Sequence, residues 1–132
     1  MIEIFCDGGA RGNPGPAAYG FVVKEQAIVV YQGQGFIGIA TNNVAEYTAV
    51  IEALTWAKGR HPGQLQFYLD SQLVVSQLSG LYKVKNATIR NLIFKIRTLE
   101  TNFGQVQYIH IPRGQNKEAD RLVNQALDEQ LR

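Results

Sequence analysis

The order of strand-like and helical segments along the chain is the feature that most restricts its possible fold. Three segments with strand-like composition follow one another in the first 40 residues, and helical and strand-like segments alternate from there onward. Consecutive strands favour an antiparallel meander, whereas strands separated by helices favour parallel pairing. We therefore predict an α/β fold with a mixed five-stranded sheet flanked by helices, in the order β-β-β-α-β-α-α-β-α.

Hydrophobic periodicity and the residues that start or stop an element locate the segments. Strands are predicted around 2–6, 18–23, 27–39, 65–69 and 105–111. Helices are predicted from Thr41–Asn43 to Gly59–Pro62, from Ser71 to Gly80, from Ala87 to Thr101 and from Asn116 to Leu131.

Composition is that of a globular protein: 45% of the 132 residues are hydrophobic and 18% are charged. We expect residues 1–132 to form a single domain. No apolar run approaches the roughly 20 residues of a membrane span. The N-terminus does not resemble a secretion signal, and the single cysteine, Cys6, lies in an apolar strand where burial is the expected role. We expect a cytoplasmic monomer without membrane contact.

The first predicted strand carries an acid, Asp7, directly into a stretch rich in glycine and proline, Gly8–Pro16. We predict a hairpin with a long, tightly folded tip. A carboxylate beside exposed backbone suits a metal that holds a phosphate, but Asp-Gly is also common turn chemistry. A second glycine pattern, Gly33, Gly35 and Gly38, formally matches a dinucleotide-binding motif. No helix opens there, so we interpret these as strand glycines at bulges or close contacts.

Four acids, Asp7, Glu46, Asp70 and Asp120, lie at the ends or beginnings of predicted elements. If the strands that precede Asp7 and Asp70 are parallel neighbours, the two carboxylates meet at one edge of the sheet. Carboxylate oxygens suit Mg²⁺, which is commonly completed by substrate phosphate. Two such ions about 4 Å apart can promote in-line displacement at phosphorus.

Each of these acids also has a structural explanation. Glu46 stands three residues after Asn43, as in a capping box. Asp70 could cap the helix that follows it, and Asp120 could pair with Lys117 or Arg121 on the surface. Spacing by itself leaves both interpretations open.

Four sequence blocks contain these acids, and their order carries a resemblance: Asp7-Gly8-Gly9 with Gly12-Asn13-Pro14-Gly15-Pro16, Thr41-Asn42-Asn43 ahead of Glu46, Asp70-Ser71-Gln72, and Asn116-Lys117-Glu118-Ala119-Asp120. Together they resemble type 1 ribonuclease H over essentially the whole chain. The resemblance implies the ribonuclease H fold and hydrolysis of the RNA strand of RNA–DNA hybrids by two Mg²⁺ or Mn²⁺ ions, leaving 5′-phosphate and 3′-hydroxyl ends. It implies that Asp7, Glu46, Asp70 and Asp120 are the catalytic metal ligands.

The resemblance also implies substrate contacts. Asn13, Asn42, Asn43 and Gln72 match positions that contact the hybrid in its minor groove, where 2′-hydroxyls distinguish RNA from DNA. Thr41 matches a position that could hold a DNA-strand phosphate. A helix-capping role is the alternative for the asparagines.

Two departures from the family pattern affect substrate handling. The loop before Asp120 lacks the histidine of many bacterial members, and we expect Arg113 to contact the leaving phosphate instead. His110 is expected on a sheet face, and His61 in a turn.

The second departure is the lack of a long basic handle, as in the short members found in archaea and some bacteria. Lys83, Lys85 and Arg90 are then the candidates for backbone contacts, in a segment whose charges could equally form a solvated helix face. Two alternatives stay open: a nuclease of the same fold that acts on double-stranded RNA, and a binding module that recognises hybrids without cutting them.

Overall fold

The computed structural model describes residues 1–60 and 63–132, and within them the element order matches the prediction. The strands are β1 (Ile2–Ala10), β2 (Gly15–Glu25), β3 (Ile28–Ala40), β4 (Gln64–Leu69) and β5 (Gln105–His110). The helices are α1 (Asn42–Lys58), α2 (Gln72–Leu78), α3 (Ala87–Glu100) and α4 (Lys117–Gln130), with a 3-10 turn at Arg113–Gln115. The turn predicted at His61 and the stop at Pro62 lie outside the described residues.

One mixed sheet holds all five strands, in the spatial order β3-β2-β1-β4-β5. β2 pairs antiparallel with β1 and β3, whereas β4 pairs parallel with β1 and β5. The meander with parallel strands added at its edge is therefore confirmed. No helix among the described residues combines the length and the hydropathy that a membrane crossing needs.

The hairpin between β1 and β2 differs from the prediction. The pairing of β1 with β2 runs out to Ala10 and Ala17, and β2 itself begins at Gly15, so that only residues 11–14 lie between the strands and the long loop predicted over Gly8–Pro16 is wrong. Gly8 and Gly15 allow the strands to continue, because a side chain at either position would collide with neighbouring backbone atoms. Gly12 in the tip has φ +98, which favours glycine over other residues.

The glycines of β3 are strand glycines, as predicted. A Cβ on Gly33 or Gly35 would lie 2.4 Å from the Phe21 ring or 2.7 Å from the Tyr19 ring. Gly38 has φ +109 beside a register shift in the β2–β3 pairing. None of these positions opens a helix, which excludes a dinucleotide-binding turn here.

The sheet is covered on both faces. The larger core lies between one face and the helices α1, α2 and α3, and it includes Ile4, Cys6 and Phe67. A smaller cluster packs α4 against the other face through Ala18, Val123, Ala126 and Leu127. Cys6 is fully buried, as expected for a structural cysteine. The two layers of helices fix the acids of α1 and α4 on either side of β1.

Candidate active site

The carboxyl ends of β1 and β4 bring two acids to one edge of the sheet. The parallel ladder between these strands ends at the pair Phe5–Tyr68, and Asp7 and Asp70 each follow two residues later. Asp7 is 6% exposed. The juxtaposition expected from parallel strand ends is therefore present, with Asp7 still inside β1 because its pairing with Gly20 of β2 continues.

Glu46 reaches this edge because α1 lies directly on the backbone of Gly8. A Cβ on Gly8 would stand 2.2–2.4 Å from the Ala45 carbonyl group and the Glu46 nitrogen. Real side chains do not tolerate such distances, and both neighbours are backbone atoms. The lack of a side chain at Gly8 therefore allows the first turns of α1 to place Glu46 beside Asp7.

A second glycine contact places α4. A Cβ on Gly20 would lie 2.8 Å from the Ala119 oxygen and 2.8 Å from the Leu122 Cβ. Gly20 is also the β2 partner of Asp7. The close approach of α4 to Gly20 thus brings Asp120, in the first turn of that helix, towards Asp7.

Three of the four predicted acids form a compact group. Asp7, Glu46 and Asp70 each offer a carboxylate oxygen, and these atoms lie within 4.8 Å of one another. Glu46 Oε2 and Asp70 Oδ2 are buried and have no hydrogen-bond partner among the described residues. Unpaired buried carboxylate oxygens are costly unless a cation binds them, and such a donor set fits a hard divalent ion.

Asp120 stands outside this tightest group but within its electrostatic reach. Burial, followed by repulsion from Asp70, Asp120 and Glu46, raises the pKa of Asp7 to about 8, although the Gly8 backbone N–H opposes the shift. The structure therefore brings all four acids into one neighbourhood, with Asp120 on its border.

The electrostatics of Glu46 involve two further residues. Burial raises the pKa of Glu46 to about 7, and Asp70 contributes to the increase. Ser71 and the positive charge of Arg113 act in the opposite direction and lower the pKa of Glu46. Arg113 is thus close enough to the acidic group to influence its charge.

These shifts predict that protein stripped of divalent ions loses stability as pH rises. In the unfolded chain the pKa values of Asp7 and Glu46 are near 3.8 and 4.5, below their folded values of about 8 and about 7. The folded state therefore binds more protons between these limits, so that the free energy of unfolding should fall by several kcal/mol from about pH 5 to pH 8, at about 1.4 kcal/mol per pH unit for each carboxyl that stays protonated in the folded state. Thermal unfolding in a chelating buffer measures this.

Two comparisons assign that pH effect to the acidic group. Asp7→Asn should flatten the pH dependence, whereas Glu129→Gln, on the exposed end of α4, should leave it unchanged. A divalent ion should restore stability most strongly at high pH, because it competes with protons for the same oxygens. A wild-type stability that rises over this pH range would contradict the expectation.

The capping alternatives for the acids are not what the structure shows. Ser71, rather than Asp70, caps α2 by accepting a hydrogen bond from the Val74 nitrogen. Thr41 caps α1 by accepting from the Val44 nitrogen, which leaves Asn43 inside the helix. None of the ion pairs within the described residues includes Asp120.

The predicted substrate residues lie around a groove at the start of α1. Asn13, Thr41, Asn42 and Asn43 line it, together with Asn86 and Thr88 near the start of α3. Asn13 Oδ1 accepts a hydrogen bond from the Asn42 nitrogen at 3.0 Å, and Asn42 Oδ1 accepts one from the Ala10 nitrogen at 2.8 Å. The two asparagines therefore tie the hairpin tip to α1, a role that the sequence did not indicate.

The other predicted contacts are exposed and lie in connecting segments or at the starts of helical elements. Gln72 begins α2 two residues after Asp70, and Arg113 begins the 3-10 turn that leads to α4. Lys83 and Lys85 occupy the exposed segment between α2 and α3, and His110 is exposed at the end of β5.

Three residues that influence the acids were missed as functional residues: Gly8, Gly20 and Ser71. Gly8 and Ser71 stand inside the sequence blocks that carry the resemblance, where proximity to an acid was the available signal. Gly20 carried no such signal, because its close approach to α4 depends on the tertiary structure.

Comparisons with known proteins agree with this architecture. The reverse transcriptase-like family model matches residues 5–126. The bifunctional protein Rv2228c of Mycobacterium tuberculosis is 42% identical over 129 residues, which cover 96% of this chain and 35% of that protein. Ribonuclease HI of Halobacterium salinarum is 41% identical over 129 residues, which cover 97% of this chain and 65% of that protein. The chain thus spans about a third and just under two thirds of these relatives.

A solved structure matches over its full length. LC11-RNase H1, isolated from compost by a metagenomic approach, is known in complex with an RNA/DNA hybrid. It is 38% identical to this chain, covers 100% of both chains and gives a TM-score of 0.94. The chain therefore belongs to the ribonuclease H family.

Proposed function

We propose that residues 1–132 form a single catalytic domain that hydrolyses the RNA strand of RNA–DNA hybrids. The observation that carries the proposal is the group of Asp7, Glu46 and Asp70, whose carboxylate oxygens lie within 4.8 Å of one another. A module that only bound hybrids would gain nothing from gathering carboxylates beside a polyanion, since the charges repel. The monomeric state and the cytoplasmic location stay predictions.

In this proposal Asp7, Glu46, Asp70 and Asp120 hold two Mg²⁺ or Mn²⁺ ions when substrate is bound. Such ions would supply Lewis-acid activation of water and of the scissile phosphodiester, and attack of water at phosphorus with departure of the 3′ oxygen would leave 5′-phosphate and 3′-hydroxyl ends. Burial and mutual repulsion, which raise the pKa of Asp7, make the charged carboxylates unfavourable without a cation. They thereby favour cation binding. Ser71 and Arg113 oppose the increase in the pKa of Glu46 and so favour its charged form.

The groove at the start of α1 supports hybrids as the substrate class. Its amide and hydroxyl side chains, on Asn13, Thr41, Asn42 and Asn43, offer donors and acceptors to 2′-hydroxyls and phosphates. Thr41, Asn42 and Asn43 lie at the same end of α1 as Glu46, and Asn13 is hydrogen-bonded to that end. The hybrid bound by LC11-RNase H1 is consistent with this substrate.

Cleavage of an end-labelled RNA–DNA hybrid tests the proposal, with the matching double-stranded RNA and double-stranded DNA as parallel substrates. We expect metal-dependent cutting of the RNA strand in the hybrid alone. Cutting of both RNA-containing duplexes would favour the broader nuclease. Tight hybrid binding without cleavage in Mg²⁺ or Mn²⁺ would contradict catalysis and favour the binding module.

Arg113→Ala is expected to lower turnover roughly 10- to 100-fold, since the positive charge of Arg113 acts on Glu46 and the side chain would contact the leaving phosphate. Single-turnover cleavage under saturating hybrid measures this. Arg113→Lys keeps the charge without the planar fork and should retain part of the rate. Equal rates for all three proteins would exclude the assignment.

Hybrid binding should weaken steeply with salt, because Lys83 and Lys85 are exposed in the segment that leads to Asn86 at the groove and would neutralise phosphates. Replacing both by alanine should reduce the slope of log KM against log salt by about 2. Lys58→Ala is the matched control, because Lys58 ends α1 far from Glu46. A flat salt response in the wild-type protein would argue against these backbone contacts.

A further inference from the structure

Asn116 is a buried amide at the start of α4 that links two segments distant in sequence. It is 1% exposed, and its Nδ2 donates a hydrogen bond of 2.8 Å to the Cys6 carbonyl oxygen. Its own backbone oxygen accepts a hydrogen bond of 3.1 Å from the Asp120 nitrogen. Asn116 therefore contacts the residue before Asp7 and the backbone of Asp120 at the same time.

The side chain is a costly way to fill this position. Asn116 Oδ1 is buried without a hydrogen-bond partner among the described residues, and the side chain makes no capping bond to α4. An unpaired buried polar atom costs about 1–3 kcal/mol, so that an apolar residue of similar shape would be compatible with equal stability. The hydrogen bond from Nδ2 to the Cys6 carbonyl therefore explains an asparagine at this position better than packing does.

The Cys6 carbonyl that Asn116 binds lies just beyond the end of the β1–β4 ladder. The β1–β4 ladder ends at Phe5, one residue before Cys6, and Asp7 follows one residue after it. Nδ2 thus takes the place of a β4 partner at Cys6, between the last residue that pairs with β4 and the first acid. The same residue begins the helical turn that carries Asp120.

We propose that Asn116 is a positioning residue that sets the separation between Asp120 and the other three acids. It acts by tying the N-terminus of α4 to β1, and it does not itself contact substrate. This inference rests on the proposed function for its effect on turnover. Its structural part, the tie between α4 and the Cys6 carbonyl, stands on the two hydrogen bonds.

Two substitutions separate positioning from stability. Asn116→Ala removes the side chain, and Asn116→Leu keeps the branched shape while it removes the donor. We expect both to lower kcat for the hybrid roughly 10- to 100-fold with KM unchanged, because Asp120 drifts from its partners. Leu127→Ala, which creates a cavity under the same helix, should destabilise α4 but keep kcat within about 3-fold.

A double-mutant cycle identifies Asp120 as the residue that is positioned. Asp120→Asn should cost much less in the Asn116→Leu background than in the wild-type protein, since the carboxylate is already displaced. Fully additive losses, or an unchanged kcat in Asn116→Leu at a temperature where it is folded, would overturn the proposal.

Amide hydrogen exchange in metal-free protein gives a readout that does not depend on activity. The Asp120 amide should exchange faster in Asn116→Leu, whereas Leu127→Ala should mainly affect the later turns of α4. Unchanged exchange at Asp120 would overturn the tie. If the wild-type protein cut neither the RNA–DNA hybrid nor double-stranded RNA, the proposed function would fail. The exchange result would still decide whether Asn116 anchors α4.

Discussion

Asp70→Asn is expected to lower hybrid cleavage by roughly 1,000-fold or more in either metal, with hybrid binding retained. Asparagine has nearly the same shape, so the change removes charge without removing volume. Asp70 contributes an oxygen to the three-acid group, and its Oδ2 is buried and unpaired. Loss of its charge weakens cation binding directly. Single-turnover cleavage and a separate hybrid-binding titration measure the two effects.

A stability measurement distinguishes lost chemistry from misfolding in this variant. Asp70 raises the pKa of Asp7 and of Glu46, so its removal should relieve repulsion and increase the thermal stability of metal-free protein at high pH. Asp128→Asn is the matched control, because Asp128 is exposed and pairs with Arg11 away from the acids. Cleavage by Asp70→Asn at the wild-type rate would remove Asp70 from the site.

Gly8→Ala is expected to destabilise the protein by roughly 3 kcal/mol or more and to abolish activity in whatever folds. The added Cβ would lie 2.2–2.4 Å from backbone atoms of Ala45 and Glu46, which have no rotamer to escape into. α1 must therefore move away from β1, and Glu46 moves with it. Chemical denaturation and the hybrid cleavage assay measure the two losses.

Gly59→Ala is the matched control for that substitution. Gly59 follows α1 with φ −85, and a Cβ there would meet nothing within 4 Å. The free energy of unfolding should therefore change by less than about 1 kcal/mol. A Gly8→Ala protein with wild-type stability and activity would show that the close approach of α1 to β1 is not needed.

Sequence patterns predicted the elements because their periods are local. Alternation around Ile4 and Cys6 and helical spacing from Tyr47 to Leu54 report burial on one face, whatever the rest of the chain does. The hairpin tip was misjudged because glycine composition suggests a loop, whereas the glycines at 8 and 9 continue β1. The local preference of glycine for loops does not show that a helix packs closely against the strand at Gly8.

The acids could be named from the sequence, but their arrangement could not. Spacing left structural explanations open for Glu46, Asp70 and Asp120, and the resemblance to ribonuclease H decided between them. The distances depend on Gly8 and Gly20, which allow α1 and α4 onto the sheet, and on the Asn116 bond to Cys6. Each of these contacts joins distant parts of the chain, so no local pattern reports it.

The most direct test of the acidic group as the catalytic metal site is anomalous X-ray diffraction from crystals of the wild-type protein grown with Mn²⁺. We predict an anomalous peak in contact with Asp7, Glu46 and Asp70, at a Mn²⁺ concentration that also supports hybrid cleavage. No peak among these carboxylates at that concentration, or Mn²⁺ bound only elsewhere on the protein, would contradict the account.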